Sequence, residues 1–205
     1  MNESRSELRR YKSLILGDAN VGKSSILLRY ERDEFRLDYE MTIGVDFIYK
    51  ELIVEGQRMN WRIWDTAGQE KYRSIVTSYL KGLDGIVFCF DVTSNSSFAS
   101  VSQWVNYFST HTTNPHIPRI LMGNKIDAAE KRVVTFEAAQ KLASSINMTY
   151  FDVSALTGAN VTEAFNYLAK LILNDSSQAN ILPIPRASTT KTISNEEPMK
   201  KKRCC

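Results

Sequence analysis

Eight residues near the start of the chain, GDANVGKS (Gly17 to Ser24), match the spacing G-x-x-x-x-G-K-[ST]. Backbone N–H groups of residues 19–24 in such a loop can wrap a phosphate chain, and a following helix adds the positive end of its dipole. Lys23 would neutralise β- and γ-phosphate charge, and the Ser24 hydroxyl is a hard oxygen donor suited to Mg²⁺. The candidate phosphate-binding residues are Gly17, Ala19, Asn20, Val21, Gly22, Lys23, Ser24 and Ser25. The bland alternative is a glycine turn with no ligand. The context opposes it, because the strand-like YKSLILG precedes the loop and the helix-like GKSSILLRY follows. The motif implies a nucleoside triphosphate with Mg²⁺ and leaves the base open.

A second stretch addresses the base. NKID (Asn124 to Asp127) follows the apolar run RILMG. A carboxylate at Asp127 can accept from guanine N1–H and from its exocyclic amine. Adenine has no such donor pair on that edge and would leave the carboxylate unpaired, which is the strong form of discrimination. The Lys125 stem can cover the base face, with Asn124 beside it. VSAL (Val153 to Leu156) ends another strand, placing Ser154, Ala155 and Leu156 near the base, with the Ala155 N–H as candidate donor to guanine O6.

Two further stretches address the γ-phosphate. In WDTAGQE (Trp64 to Glu70), Asp65 can hold Mg²⁺ through a water, and Gly68 can bring its N–H to the phosphate with no side chain in the way. Gln69 can orient an attacking water. MTIGVDF carries Thr42, whose hydroxyl can complete the metal shell. The candidate metal ligands are thus Ser24, Thr42 and Asp65, and the catalytic candidates are Gln69 and Lys23. Both segments would depend on the γ-phosphate for order, an order–disorder switch.

These residues need a scaffold that brings distant loops together. Strand-like runs alternate with helical ones: YKSLILG, TIGVDFIYKELIV joined to MNWRIWD by EGQR, GIVFCFDV, RILMGNK and MTYFDVSA. Between and after them lie SFASVSQWVNYFSTH, TFEAAQKLASSI with Thr135 as cap, and NVTEAFNYLAKLIL with Asn160 as cap. In the first of these, Phe98, Val101, Val105 and Phe108 recur at helical spacing, which puts Trp104 among core residues rather than site residues. Alternation of this kind predicts an α/β fold, a six-stranded mostly parallel sheet flanked by helices. Ligands in such sheets sit at the carboxyl ends of the strands, where all the motifs above fall.

The 205 residues suit one domain with additions. We divide them into a short extension over 1–9, a domain over 10–173 and a flexible tail over 174–205. No apolar run reaches the roughly 18–20 residues of a membrane span, and the first residues lack the apolar segment of a signal peptide. Net charge is +3. From Asn174 onward there are six basic residues (Arg186, Lys191, Lys200, Lys201, Lys202, Arg203) and three acidic ones (Asp175, Glu196, Glu197), so the tail carries the whole excess. A neutral body argues against nucleic-acid binding. Cys89 lies inside an apolar run and reads as an inert core thiol. The chain ends KKKRCC, with Cys204 and Cys205 last. A metal pair there lacks further ligands, a bridge between adjacent cysteines is strained, and no C-a-a-X box is present. Lipid attachment is the third reading.

Taken together, GDANVGKS, MTIGVDF, WDTAGQE, NKID and VSAL resemble the loops of the Ras-like small GTPases. IGVDF, WRIW, KYRSI, YLKGL and FDVTS, with the terminal CC, resemble the Rab family more narrowly. The resemblance runs from about Tyr11 to Leu173. It implies the P-loop GTPase fold with a disordered C-terminal tail, and a switch that hydrolyses GTP to GDP with Mg²⁺ and regulates vesicle traffic. It also implies an exchange factor, a GTPase-activating protein, a GDP-dissociation inhibitor or escort protein, and effectors bound in the GTP state. Phe35 would pack against the guanine, and Phe47, Trp64 and Tyr79 would form an aromatic patch read by effectors, with a purely core role as the alternative. Cys204 and Cys205 would carry geranylgeranyl groups, placing the protein on the cytoplasmic face of an intracellular membrane and cycling it with the cytosol. Ala19 stands where Ras has glycine, which predicts slow intrinsic hydrolysis. Competing readings are a nucleotide-dependent binding module that scarcely hydrolyses, and a P-loop kinase of small molecules, for which NKID would be unexplained.

Overall fold

The computed structural model describes residues 9–36, 45–66 and 77–179. Six strands form one sheet: β1 (Arg10–Leu16), β2 (Val45–Val54), β3 (Gln57–Thr66), β4 (Gly85–Asp91), β5 (Arg119–Asn124) and β6 (Thr149–Asp152). Their spatial order is β2-β3-β1-β4-β5-β6. Only the β2–β3 hairpin is antiparallel, and the other pairings are parallel. The α/β architecture expected from the alternation is therefore present.

Among the described residues the helices that cover the two faces are α1 (Lys23–Arg32), α2 (Asn95–His111), α3 (Phe136–Ser145) and α4 (Val161–Ala179). Side chains alternate along each strand, so each face has its own core. Ile15, Trp61, Ile63, Val87, Ile120 and Met122 pack with α1 and α4 on one side. Leu14, Leu16, Phe88, Phe90 and Leu121 pack with α2 and α3 on the other. β4 is buried along its whole length, which explains why GIVFCFD is continuously apolar rather than alternating. β2 is an edge strand with one face outward, and it carries Lys50 and Glu51, charges that oppose edge-to-edge pairing.

Two caps were legible in the sequence with different accuracy. The Thr135 hydroxyl accepts from the Ala138 N–H at 3.2 Å, as its position predicts. Asn160 instead sits at φ 56° and its carbonyl takes the Ala164 N–H. Its side-chain amide donates to the Asp152 carbonyl at 2.8 Å, so it fastens the helix start to the end of β6.

The boundary drawn at 173/174 falls within a helix. α4 continues through Asn174, Asp175 and Ser176 to Ala179. Extending an existing helix requires no new nucleation, so polar composition alone does not stop it. Ser176 is buried against the domain. Residues 180–205 lie outside the described residues.

One polar pair inside the first core is fully enclosed. The Trp61 indole N–H donates to the Ser13 hydroxyl at 2.8 Å, and both residues are 0% exposed. Ser13→Ala should cost about 1–3 kcal/mol, because the indole loses its acceptor without gaining water. Urea denaturation at fixed nucleotide and Mg²⁺ measures this. The same change made on a Trp61→Phe background should cost clearly less.

Candidate functional site

The carboxyl ends of β1, β3, β4, β5 and β6 meet along one rim, and the loops that leave them carry the motif residues. The phosphate loop connects β1 to α1. Gly22 precedes α1 at φ 92°, and a Cβ there would lie 2.3 Å from Asn124 Nδ2. Glycine is therefore required at this position both for backbone angle and for room. Gly17 is equally crowded, with a would-be Cβ at 2.1 Å from the Cys89 carbonyl oxygen.

Lys23 is 5% exposed. Its Nζ donates to the Gly17 carbonyl at 3.0 Å and to the Asp18 carbonyl at 2.7 Å. Burial pushes its pKa down, with the carboxylates of Asp65 and Asp18 opposing that shift. An ammonium held in this way gains most from a nearby anion, which would replace lost hydration with direct charge pairing. Cys89 beneath it is buried and its thiol is pushed up to about 12 by desolvation, so it stays an uncharged core group as its sequence context implies.

Ser24 and Asp65 come together from α1 and β3. The Ser24 hydroxyl donates to Asp65 Oδ2 in a short contact. A hydroxyl and a carboxylate, both hard oxygen donors converging beside Lys23, fit the chemistry of Mg²⁺. Thr42, Gly68 and Gln69 lie outside the described residues.

The base loops leave β5 and β6. Asn124 is 1% exposed and works in two directions. Its Nδ2 donates to the Val21 carbonyl at 2.9 Å, and its Oδ1 accepts from the Ala155 N–H at 3.1 Å. The Ala155 N–H assigned from sequence to guanine O6 is thus already engaged. Lys125, at φ 71°, donates to the Asn20 carbonyl at 2.8 Å and pairs with Asp91 at 2.6 Å. Burial would raise the Asp91 pKa, but hydrogen bonds from Lys125 and Thr93 outweigh it and hold the carboxyl below its ordinary value. Asp127 Oδ1 accepts from the Ser154 hydroxyl at 2.5 Å, and Ser154 Oγ accepts from the Thr157 N–H at 3.1 Å. Leu156 is exposed, and Phe35 is half-buried against the α1/α4 core.

The three expected patch residues form one contiguous row. Phe47 and Trp64 have ring centroids 4.8 Å apart, and Trp64 and Tyr79 are 4.7 Å apart. Phe47 is 42% exposed, while Trp64 and Tyr79 pack partly against the α2/α3 core.

Three contributors escaped the sequence reading. Trp104 is core, at 3% exposure, yet its indole N–H donates to Asp18 Oδ1 in the phosphate loop at 2.7 Å. Helical spacing finds the packing face and says nothing of where an indole N–H points. Asp91 closes β4 and anchors Lys125. Arg132 makes a two-pronged pair with Asp152 at 2.7 and 3.0 Å, tying the loop after NKID to the strand before VSAL. Trp104 and Arg132 lie outside all the quoted motifs, so spacing gives no signal for them, and Asp91 is the aspartate of FDVTS.

The model of the Ras family matches residues 12–174. GTP-binding protein YPT1 of Saccharomyces cerevisiae is 40% identical over 171 residues, covering 83% of this chain and 82% of that protein. Ras-related protein RIC1 of Oryza sativa is 39% identical over 183 residues, 89% of each. Ras-related protein Rab-8B of Homo sapiens is 37% identical over 176 residues, 82% of this chain and 84% of that protein. The chain belongs to the Ras family, among its Rab small GTPases.

In this Rab the phosphate loop and the base loops are joined by one side chain. Asn124→Ala would leave the Val21 carbonyl and the Ala155 N–H without their shared partner. GDP release should quicken roughly 10–100-fold, on the scale of one or two buried hydrogen bonds. Stopped-flow displacement of a fluorescent GDP measures it.

Proposed function

We propose that this Rab is a GTP-operated switch that hydrolyses GTP to GDP and phosphate and controls membrane traffic through effectors bound in the GTP state. The observation that carries the reading is the Asn124 bridge. It makes the phosphate loop and the carboxylate-bearing base loop a single unit, suited to a ligand with phosphates at one end and a guanine at the other.

In this reading Gly17, Ala19, Asn20, Val21, Gly22, Lys23, Ser24 and Ser25 cradle the phosphates. Lys23 exchanges its loop carbonyls for β- and γ-phosphate oxygens, and Ser24, Thr42 and Asp65 hold Mg²⁺. When bound, the ion withdraws charge from the phosphate oxygens. Gln69 orients the attacking water in line with the leaving GDP, and Gly68 donates its N–H to the γ-phosphate. Asp127 accepts from guanine N1–H and the exocyclic amine, with Asn124, Lys125, Ser154, Ala155, Leu156 and Phe35 framing the base. No motif places an arginine on the γ-phosphate in cis. Turnover without help is then about 10⁻⁴ per second, and a GTPase-activating protein adding an arginine raises it about 10³–10⁵-fold. Ala19 adds a methyl beside Gln69 and slows the intrinsic rate further.

Phe47, Trp64 and Tyr79 supply the effector surface: rigid aromatic rings, partly exposed and mutually packed, are the residue type that dominates binding hot spots. An exchange factor and a GDP-dissociation inhibitor or escort protein complete the cycle. Among the described residues no helix is long and apolar enough to cross a membrane. Membrane residence on the cytoplasmic face is assigned to geranylgeranyl groups on Cys204 and Cys205. Two lipid chains anchor where one is marginal, and Lys200 to Arg203 add about 1 kcal/mol each on an anionic leaflet.

Single-turnover phosphate release should proceed with GTP and not with ATP, should drop by at least tenfold in Gln69→Leu, and should rise in Ala19→Gly. Equal turnover of ATP would end the guanine assignment. Cys204→Ser/Cys205→Ser should keep nucleotide affinity and move the protein wholly to the soluble fraction of lysed cells. Retained sedimentation with membranes would refute the lipid anchor.

A further inference from the structure

Arg29 lies on α1, six positions beyond Lys23, and belongs to none of the motifs. Its guanidinium nevertheless makes four hydrogen bonds. Nε donates to the Ala155 carbonyl at 2.9 Å and Nη2 to the Leu156 carbonyl at 2.7 Å. Nη1 donates to the Asp33 carbonyl at 2.7 Å and to Asp33 Oδ1 at 2.9 Å. Asp33 is the C-cap of α1, at φ 57°, and its own N–H donates back to the Arg29 carbonyl. The pair with Asp33 faces solvent on the carboxylate side, where Asp33 is 90% exposed, so it adds little energy. The Arg29 side chain itself is 14% exposed. The bond to the Ala155 carbonyl is partly buried and the bond to the Leu156 carbonyl lies at the surface; together they hold the base loop to the phosphate helix.

Peptide geometry gives those bonds a consequence. The unit that contains the Ala155 carbonyl also contains the Leu156 N–H, and in a trans peptide the two point in opposite directions. No cis peptide occurs among the described residues. Drawing the Ala155 carbonyl towards α1 turns the Leu156 N–H away from it. The neighbouring Ala155 N–H is held separately by Asn124 Oδ1. The loop is thus fixed from both sides, with one donor engaged and the next aimed by Arg29.

We propose that Arg29 is a positioning residue for base selection, holding the Ala155 and Leu156 carbonyls so that the Leu156 N–H meets guanine O6. The inference rests on the guanine reading above. A donor fixed at this point favours a 6-oxo purine, because the 6-amino group of adenine would oppose donor to donor. Planar fork geometry is what the task needs. A lysine ammonium keeps the charge but cannot hold two carbonyls and the helix cap in one plane.

The test compares release of GDP, 6-thio-GDP and IDP from the full-length chain with Mg²⁺, by displacement with excess GTP. Sulfur at position 6 accepts poorly, so the wild-type chain should release 6-thio-GDP roughly 3–10-fold faster than GDP, the scale of one hydrogen bond. IDP lacks the exocyclic amine read by Asp127 and should also leave faster. In Arg29→Ala the ratio of 6-thio-GDP to GDP release should fall towards one while the ratio of IDP to GDP is kept. Arg29→Lys, the milder change, should fall between. Faster release of all three nucleotides with both ratios unchanged, in either variant, would make Arg29 merely structural and overturn the proposal. A wild-type chain that releases IDP and GDP equally fast would instead refute the guanine reading, and this proposal with it.

Discussion

The side-chain amide of Asn124 is the constraint on which the rest of the site depends. It is enclosed, and it spends its donor on the loop after β1 and its acceptor on the loop after β6. An amide suits this place because it offers one donor side and one acceptor side without charge. Aspartate would present two acceptors to the Val21 carbonyl and repel it. Leucine would leave both backbone groups buried and unpaired. Gly22 has to be a glycine for the same reason, since any side chain there would occupy the space the amide needs. Two motifs separated by about a hundred residues are thus parts of one geometric requirement.

Around that centre the loops are held by charged groups that bond to backbone carbonyls. Lys23 holds Gly17 and Asp18, Lys125 holds Asn20, and Arg29 holds Ala155 and Leu156. Loops have few apolar contacts of their own, and cations aimed at carbonyls supply shape where a core cannot. Trp104 braces the same loop from the opposite layer through the Asp18 carboxylate, while its ring fills the α2 core. Lys23 and Arg29 stand on α1, Trp104 on α2 and Lys125 one residue past the end of β5, so the rim inherits the rigidity of the sheet and helices.

The fold was largely legible because its signals are periodic. A continuous apolar run marked β4, the EGQR hairpin signal marked β2 and β3, and helical spacing marked α2. The motif residues were legible because their spacing is set by phosphate and base geometry. What escaped was direction. Sequence spacing showed that Trp104 faces the core but not that its N–H reaches the phosphate loop. It showed Arg29 as one more charged residue on a helix but not that its guanidinium crosses to a loop more than a hundred residues away. The end of α4 escaped for another reason: composition changes at Asn174, but helix propagation carries the backbone past the change. Thr42, Gly68, Gln69, Cys204 and Cys205 were chosen from sequence alone, and the described residues do not include them.

The strand β3 shows how one register can join chemistry to recognition. Phe47 lies opposite Trp64 and Asp46 opposite Asp65. Successive residues of a strand face opposite sides of the sheet. Asp65 therefore turns towards α1 and Ser24, while Trp64 turns to the other face and meets Phe47 and Tyr79. Two carboxylates opposed across an antiparallel ladder repel each other, and a divalent cation beside Asp65 would relieve that repulsion. The aromatic row is one peptide unit from a candidate metal ligand. Asp65 and Trp64 are joined directly through the backbone of β3, on opposite faces of one sheet.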